Sequence, residues 1–163
     1  MKLFSELHGF VIYEPLLLAE YLKRHNLNSK DVLSYFVDTD HGDIITREGI
    51  AIPVIGVPAD YYSFTQEYIT DENALQKSGG WIFNGYSGTV RVVGIGHFKD
   101  IFRINDSNSL SFTVNKGWHD LTIISFFDSA NEDAGFLLDF KQATNKPHFY
   151  GDVETKYGFE QTT

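Results

Sequence analysis

Three aspartates and a histidine fall within one six-residue segment of this chain: DTDHGD, residues 38 to 43, holds Asp38, Asp40, His41 and Asp43. Carboxylates at alternate positions can wrap a hard cation, and Asp38-Thr39-Asp40 looks like the start of a calcium loop. Such a loop needs glycine at its sixth position and a bidentate glutamate at its twelfth, but Asp43 and Gly49 stand there. A two-aspartate phosphotransfer motif fails as well, because Gly42 occupies the place of the expected threonine or valine and no phosphate loop follows. The segment therefore reads as a solvated acidic connection leading into the first long strand, where it faces either water or a basic protein partner.

The remaining chemical candidates are weaker. His8, His25, His41, His97, His119 and His148 are scattered, with no H-E-x-x-H or H-x-H pair to seed a zinc site. Trp118-His119-Asp120 suggests an acid–base pair, yet neighbouring residues of a strand point to opposite faces. GYSGT, residues 85 to 89, misses the G-x-S-x-G nucleophile elbow by one place, and no helical pattern follows it. GIGHF supplies only Gly94 and Gly96 of a dinucleotide fingerprint; a bulge or strand bend explains them better. A second acidic group, Asp128, Glu132 and Asp133, also lies in a polar turn, where a carboxylate pair keeps ordinary acidity and makes a poor glycosidase dyad. The sequence thus predicts no cofactor, no metal and no catalytic residue.

Composition narrows the partners. Lysine and arginine total 13 against 22 aspartate and glutamate, for a formal charge of −9, and both halves of the chain are acidic. Such a surface repels phosphate backbones and anionic lipids and attracts basic proteins, so neither nucleic acid nor membrane is an expected partner. The absence of cysteine excludes disulfides and thiolate chemistry and is compatible with the cytoplasm. Glu6, His8 and Glu14 interrupt the N-terminal apolar run before it reaches signal length, and no stretch of about 18 apolar residues occurs. The expectation is a soluble protein that stays in the cytoplasm.

The elements that would position these residues are mostly extended. Pro15 suits a first helical position; Leu17, Leu18, Tyr21 and Leu22 then share a face up to Asn26. Ser29 is placed to cap a second short helix over KDVLSYF. From residue 43 onward DIITREGIAIPVIGV, DYYSFTQEYI, GWIFNG, GTVRVVGIGHF, SLSFTV, HDLTIISFF and AGFLLDF read as strands separated by turn residues. Leu110, Phe112 and Val114 alternate before Asn115-Lys116-Gly117, and Leu121, Ile123 and Phe127 alternate after it, which predicts a hairpin; SANED then turns the chain into a third strand of a meander. Pro53 cannot donate to a central ladder, so its strand belongs at an edge or carries a bulge. The aromatic tail is expected to dock as far as Phe159, with the last residues fraying. The expected fold is mainly β (α+β): an antiparallel β-sandwich or open barrel with one or two short N-terminal helices, residues 1–163 forming one domain.

VIYEPLLLAEYLKRH followed by EGIAIPVIGVPADYYSF, and LSFTVNKGWHDLTIISFF with GFLLDF, resemble in layout the strand–helix start and sandwich hairpins of bacterial immunity proteins. These are cytoplasmic inhibitors that neutralise toxins of contact-dependent and secreted polymorphic systems. The resemblance implies a non-enzymatic inhibitor whose partner is a cognate, basic toxin domain, many of which are nucleases. Steering carboxylates would come from Asp38, Asp40 and Asp43 and from Asp128, Glu132 and Asp133. Tyr61, Tyr62 and Trp118 are the candidate aromatic anchors, core packing being the competing fate of each. The rival reading is a small-molecule or carbohydrate-binding β-sandwich, with or without enzymatic activity, that uses its aromatic surplus to line a pocket.

Overall fold

The first thirteen residues already visit both layers of the fold. In the computed structural model, which describes residues 1–159, β1 (Leu3–Phe4) lies at one edge of a five-stranded sheet and β2 (Gly9–Tyr13) inside a four-stranded one. The four-stranded sheet runs β3–β2–β6–β7 and is antiparallel throughout, with β3 at Ala51–Ile55, β6 at Thr89–Gly94 and β7 at Ser109–Thr113. The five-stranded sheet runs β1–β4–β9–β8–β5, with β4 at Tyr61–Thr65, β5 at Ala74–Asn84, β8 at Trp118–Asp128 and β9 at Asp133–Gln142. Three of its pairings are antiparallel and one, β4 with β9, is parallel. The two sheets pack face to face, as the sandwich expectation required.

Alternation along the strands builds the core. Phe10 and Ile12 of β2, Ile52 and Val54 of β3, and Val90 and Val92 of β6 point inward to meet Phe64, Phe83, Leu121, Ile123 and Leu138. Phe136 is fully buried among Phe10, Phe64, Tyr62 and Tyr157, with ring centroids 5.2 to 6.0 Å away. Truncating such a ring to alanine costs about 3–5 kcal/mol. The opposite residues of the same strands, Val11, Tyr13, Ala51 and Val93, form a second apolar layer under helices. That layer is covered by α1 (Pro15–Arg24), α2 (Leu33–Asp38), α3 (His41–Arg47) and a 3-10 turn over Ile95–Lys99 that contributes Phe98.

Helix α1 starts at Pro15 as its sequence dictates, with Leu18 and Tyr21 buried, and it ends where Asn26 takes a left-handed φ of 57°. Ser29 does not cap α2. The Asp31 carboxylate accepts from the Leu33 N–H at 3.1 Å, while Ser29 Oγ accepts only from the Asp31 N–H. Pro53 sits on an edge strand, paired to β2 alone, as its missing N–H demands.

One extended reading and one pairing are overturned. Residues 41–47 are helical: the Ile44 N–H donates to the Asp40 carbonyl and the Glu48 N–H to the Ile44 carbonyl, the consecutive Ile45 and Thr46 are both buried while Ile44 is exposed, and Gly49 at φ 70° follows the end. The segment 110–127 is not a hairpin. β7 pairs with β6 in one sheet and β8 with β5 and β9 in the other, so Asn115-Lys116-Gly117 is a crossover between sheets. It is held by Gly85 and Gly117, which exchange backbone bonds at 2.7 and 3.2 Å, and by the Val114 N–H donating to Gly88. Only the second turn of the expected meander forms, with Asp128 opposite Asp133. Gly94 and Gly96 mark no bulge either; a Cβ at each would fall within 2.9 Å of Glu6, so they admit a close-packed turn.

The tail docks as expected. Phe149 meets the Trp81 ring at 5.9 Å, the Tyr150 N–H donates to the Gly80 carbonyl, and Trp81 Nε1 donates to Ser78 Oγ, which is itself 2.9 Å from Thr155 Oγ1. Tyr157 is buried and Phe159 packs on Tyr62 and Phe136. The expected fraying falls on residues 160–163, outside the described residues.

Candidate functional site

The acidic segment is the corner between two helices. Asp38 ends α2, Asp40 precedes α3 and Asp43 lies in the first turn of α3; all three are exposed. Thr39 Oγ1 donates to the Tyr35 carbonyl and accepts from the His41 N–H, which closes the corner locally. Gly42 is required by packing, since a Cβ there would stand 2.1 Å from the Phe36 carbonyl oxygen. The glycine that disqualified a phosphotransfer site is what lets α3 cross directly over the end of α2. Beyond it, Thr46 Oγ1 donates back to the Gly42 carbonyl at 2.9 Å.

This corner overhangs an apolar recess of about 440 Å³. Phe36 and Val37 of α2, Ile45 of α3, Pro53 and Ile55 of edge strand β3, and Val153 of the tail form much of its wall, and Asp43 stands among them. Val37 is 70% exposed and Val153 43%, so the rim presents apolar carbon to solvent beside the Asp43 carboxylate. Ile55 of the same wall is a further exposed large hydrophobic.

The other acidic group belongs to the five-stranded sheet. Asp128 accepts from Asn131 and from the Ala130 N–H within the β8–β9 turn, where Glu132 adopts a φ of 49°. Asp133 accepts from Ser63 Oγ at 2.6 Å and stands 3.5 Å from the Lys2 ammonium, so much of its charge is already matched. Tyr61 is exposed, its ring tilted against Phe4 with centroids 5.1 Å apart near this end of the sheet. Tyr62 is not a surface anchor: it is 2% exposed, its hydroxyl donates to the Pro58 carbonyl, and burial pushes its pKa up to about 12. Trp118 is half-buried, with Lys146 5.7 Å over its ring and the Gly49 backbone against it.

Other candidates resolve into structure. His119 is buried, with its Nε2 bonded to the Asn115 carbonyl at 2.7 Å, while Asp120 faces outward, as strand alternation requires. Ser87 of GYSGT donates both its N–H and its hydroxyl to Glu14, which is fully buried and also caps α1 through the Leu17 N–H. Two of the scattered histidines do meet: His25 and His41 lie 5.2 Å apart around Tyr21, whose hydroxyl is 2.6 Å from His41 Nδ1. Burial raises the Tyr21 pKa, with Arg24 opposing it and Glu48 reinforcing it. Among the described residues no cluster of three or more metal-ligating side chains occurs, and no helix is long and apolar enough to cross a membrane.

Sequence reasoning found the acids of the corner and the edge strand but missed the recess that joins them. The available signal was Val37, an apolar residue directly before the acidic run, together with Pro53 in a strand otherwise apolar on both faces. In comparison with known proteins, no family model, no curated protein and no solved structure matches this chain.

Proposed function

We propose that this protein is a stoichiometric inhibitor of the immunity-protein kind, acting in the bacterial cytoplasm on a basic toxin domain. The observation that supports it is the apolar recess beneath Val37, Ile55 and Val153 with Asp43 in its wall, Asp38 and Asp40 being exposed on the same α2–α3 corner. Tight interfaces combine a desolvated apolar anchor with a charged rim that steers the encounter. Here the recess takes an apolar side chain of the partner, and the carboxylates attract the basic groups around it. The net charge of −9 acts in the same direction at longer range.

The test is a pull-down and growth-protection assay with the C-terminal domain encoded by the neighbouring toxin gene. A one-to-one complex that Val37→Asp weakens supports the reading. Absence of binding and of protection sinks it.

A further inference from the structure

On the same helical side of the four-stranded sheet, but on a separate wall, lies a larger open cavity of about 710 Å³. Ligand sites run to roughly 300–1,000 Å³, so it is of useful size. Leu18 and Leu22 of α1, Leu27 after it, and Ile101 and Ile104 of the segment leading to β7 supply branched aliphatic carbon. Phe102, 73% exposed, stands at the mouth. A sugar site prefers flat aromatic faces with paired polar groups; aliphatic walls of this kind suit a hydrocarbon chain or ring.

One cation is built into the wall. Arg91 projects from β6 directly opposite Tyr13 of β2, on the face turned to the helices. Its side chain is 22% exposed, and it donates to Ser109 Oγ at 2.7 Å. Its contact with Asp106 is 3.5 Å, at the limit of a hydrogen bond, and the Asp106 side chain is 96% exposed, so water competes with that pair. A guanidinium carries five N–H donors in a planar fork, which leaves capacity for a second acceptor, and a carboxylate matches that fork. Tyr13 lines the cavity beside it as a permanent O–H donor, since burial pushes its pKa up to about 12 against the opposing pull of Arg91. Lys23 adds positive charge at the α1 side.

We propose that this cavity binds an amphipathic organic acid, with the carboxylate on the Arg91 fork in place of Asp106 and the hydrocarbon against Leu18, Leu22, Leu27 and Ile104. The site is independent of the toxin-inhibitor reading, because it uses a different wall of the helical layer. A surface of net charge −9 disfavours unspecific uptake of anions. A preference for the anion over its neutral and cationic analogues therefore reports the cavity itself.

The experiment is a titration of the full-length, nitrogen-15-labelled protein with decanoate, decan-1-ol and decylamine, followed by amide shifts. Decanoate is expected to shift Leu22, Leu27 and Ile104 saturably and to bind about tenfold more tightly than decanol, the worth of one charge-assisted fork. Decylamine should bind more weakly than either. Arg91→Met should abolish the anion preference while decanol still binds, and Arg91→Lys, which keeps the charge without the fork, should retain part of it. Ala19→Phe, filling the mouth from an exposed helical position, should remove all three ligands without altering amides in the five-stranded sheet. The proposal is overturned if decanoate produces no saturable shifts there, if decylamine binds as well as decanoate, or if the anion preference survives both Arg91 variants.

Discussion

Glutamine at position 14 should be unexpectedly costly for so small a change. Glu14 is fully buried, and its two oxygens serve three donors: one takes the Leu17 N–H at 2.5 Å, the other the Ser87 N–H at 3.0 Å and the Ser87 hydroxyl. Glutamine offers one carbonyl oxygen and one NH₂. Turned either way, it sets a donor against a donor, at the start of α1 or at the Ser87 turn. Both facing donors are then buried and unpaired, at about 1–3 kcal/mol each, so the total is about 3 kcal/mol. At about 2–4 °C per kcal/mol for a chain of this size, Tm falls by about 6–12 °C. Ser87→Ala removes the hydroxyl's bond to Glu14 and, with it, the acceptor of the Thr89 N–H at 3.3 Å, and should cost about 1–2 kcal/mol. In the double variant the two losses overlap, giving a coupling of at least about 1 kcal/mol. Urea unfolding followed by tryptophan fluorescence at neutral pH measures all four corners of this cycle. A Glu14→Gln variant within about 0.5 kcal/mol of the parent, or strict additivity, would refute the clamp.

Three further expectations concern other parts of the molecule. Replacing Asp38, Asp40 and Asp43 together by asparagine should slow association with the proposed basic partner and flatten its salt dependence, with little change in dissociation; stopped-flow rates at two ionic strengths decide it. Gly42→Ala should destabilise by about 1–3 kcal/mol in thermal unfolding, because the added methyl meets a backbone carbonyl that cannot move aside; an unchanged Tm would mean that α3 slides freely over α2. Burial pushes Tyr13, Tyr62 and Tyr157 from 10.0 to about 12, so each favours the folded state below pH 10, and that contribution is lost as pH rises towards 12. Phenolate absorbance should therefore show a late fraction that ionises together with alkaline unfolding, and a single early titration of all tyrosines would contradict the burial.

Local rules read well wherever one residue type settles the matter. Pro15 opened a helix and Pro53 marked an edge, because the missing N–H excludes the alternatives. The β8–β9 turn was legible for the same reason, its alternation being continuous on both sides. The 110–127 segment has equally good alternation, yet nothing local states whether Leu110 and Leu121 line one sheet or face each other across two. That choice is made by the GYSG turn, which captures the crossover from thirty residues away in sequence. IITR was misread because Ile and Thr favour strands by propensity, whereas the burial of Ile45 in the apolar layer with Val11, Ala51 and Phe98 overrides it. The candidate site divided in the same way. Its charges could be seen in a six-residue window, but its recess is assembled from α2, α3, β3 and the tail, whose meeting no window contains.

The order of strands also sets an order of assembly. Every strand of the four-stranded sheet, and the helices on it, lies within residues 9–113, so that layer and the acidic corner can pair as soon as this part of the chain is free. The other sheet must wait: β4 has no partner besides the two-residue β1 until β9 arrives some seventy residues later. Closure of such distant contacts is slow. Until Tyr157 and Phe159 reach Phe136, the half-built sandwich keeps an aromatic wall open to water. During synthesis the acidic corner is thus made early, whereas Val153, the tail's share of the face proposed to meet a partner, arrives last together with the residues that seal the core.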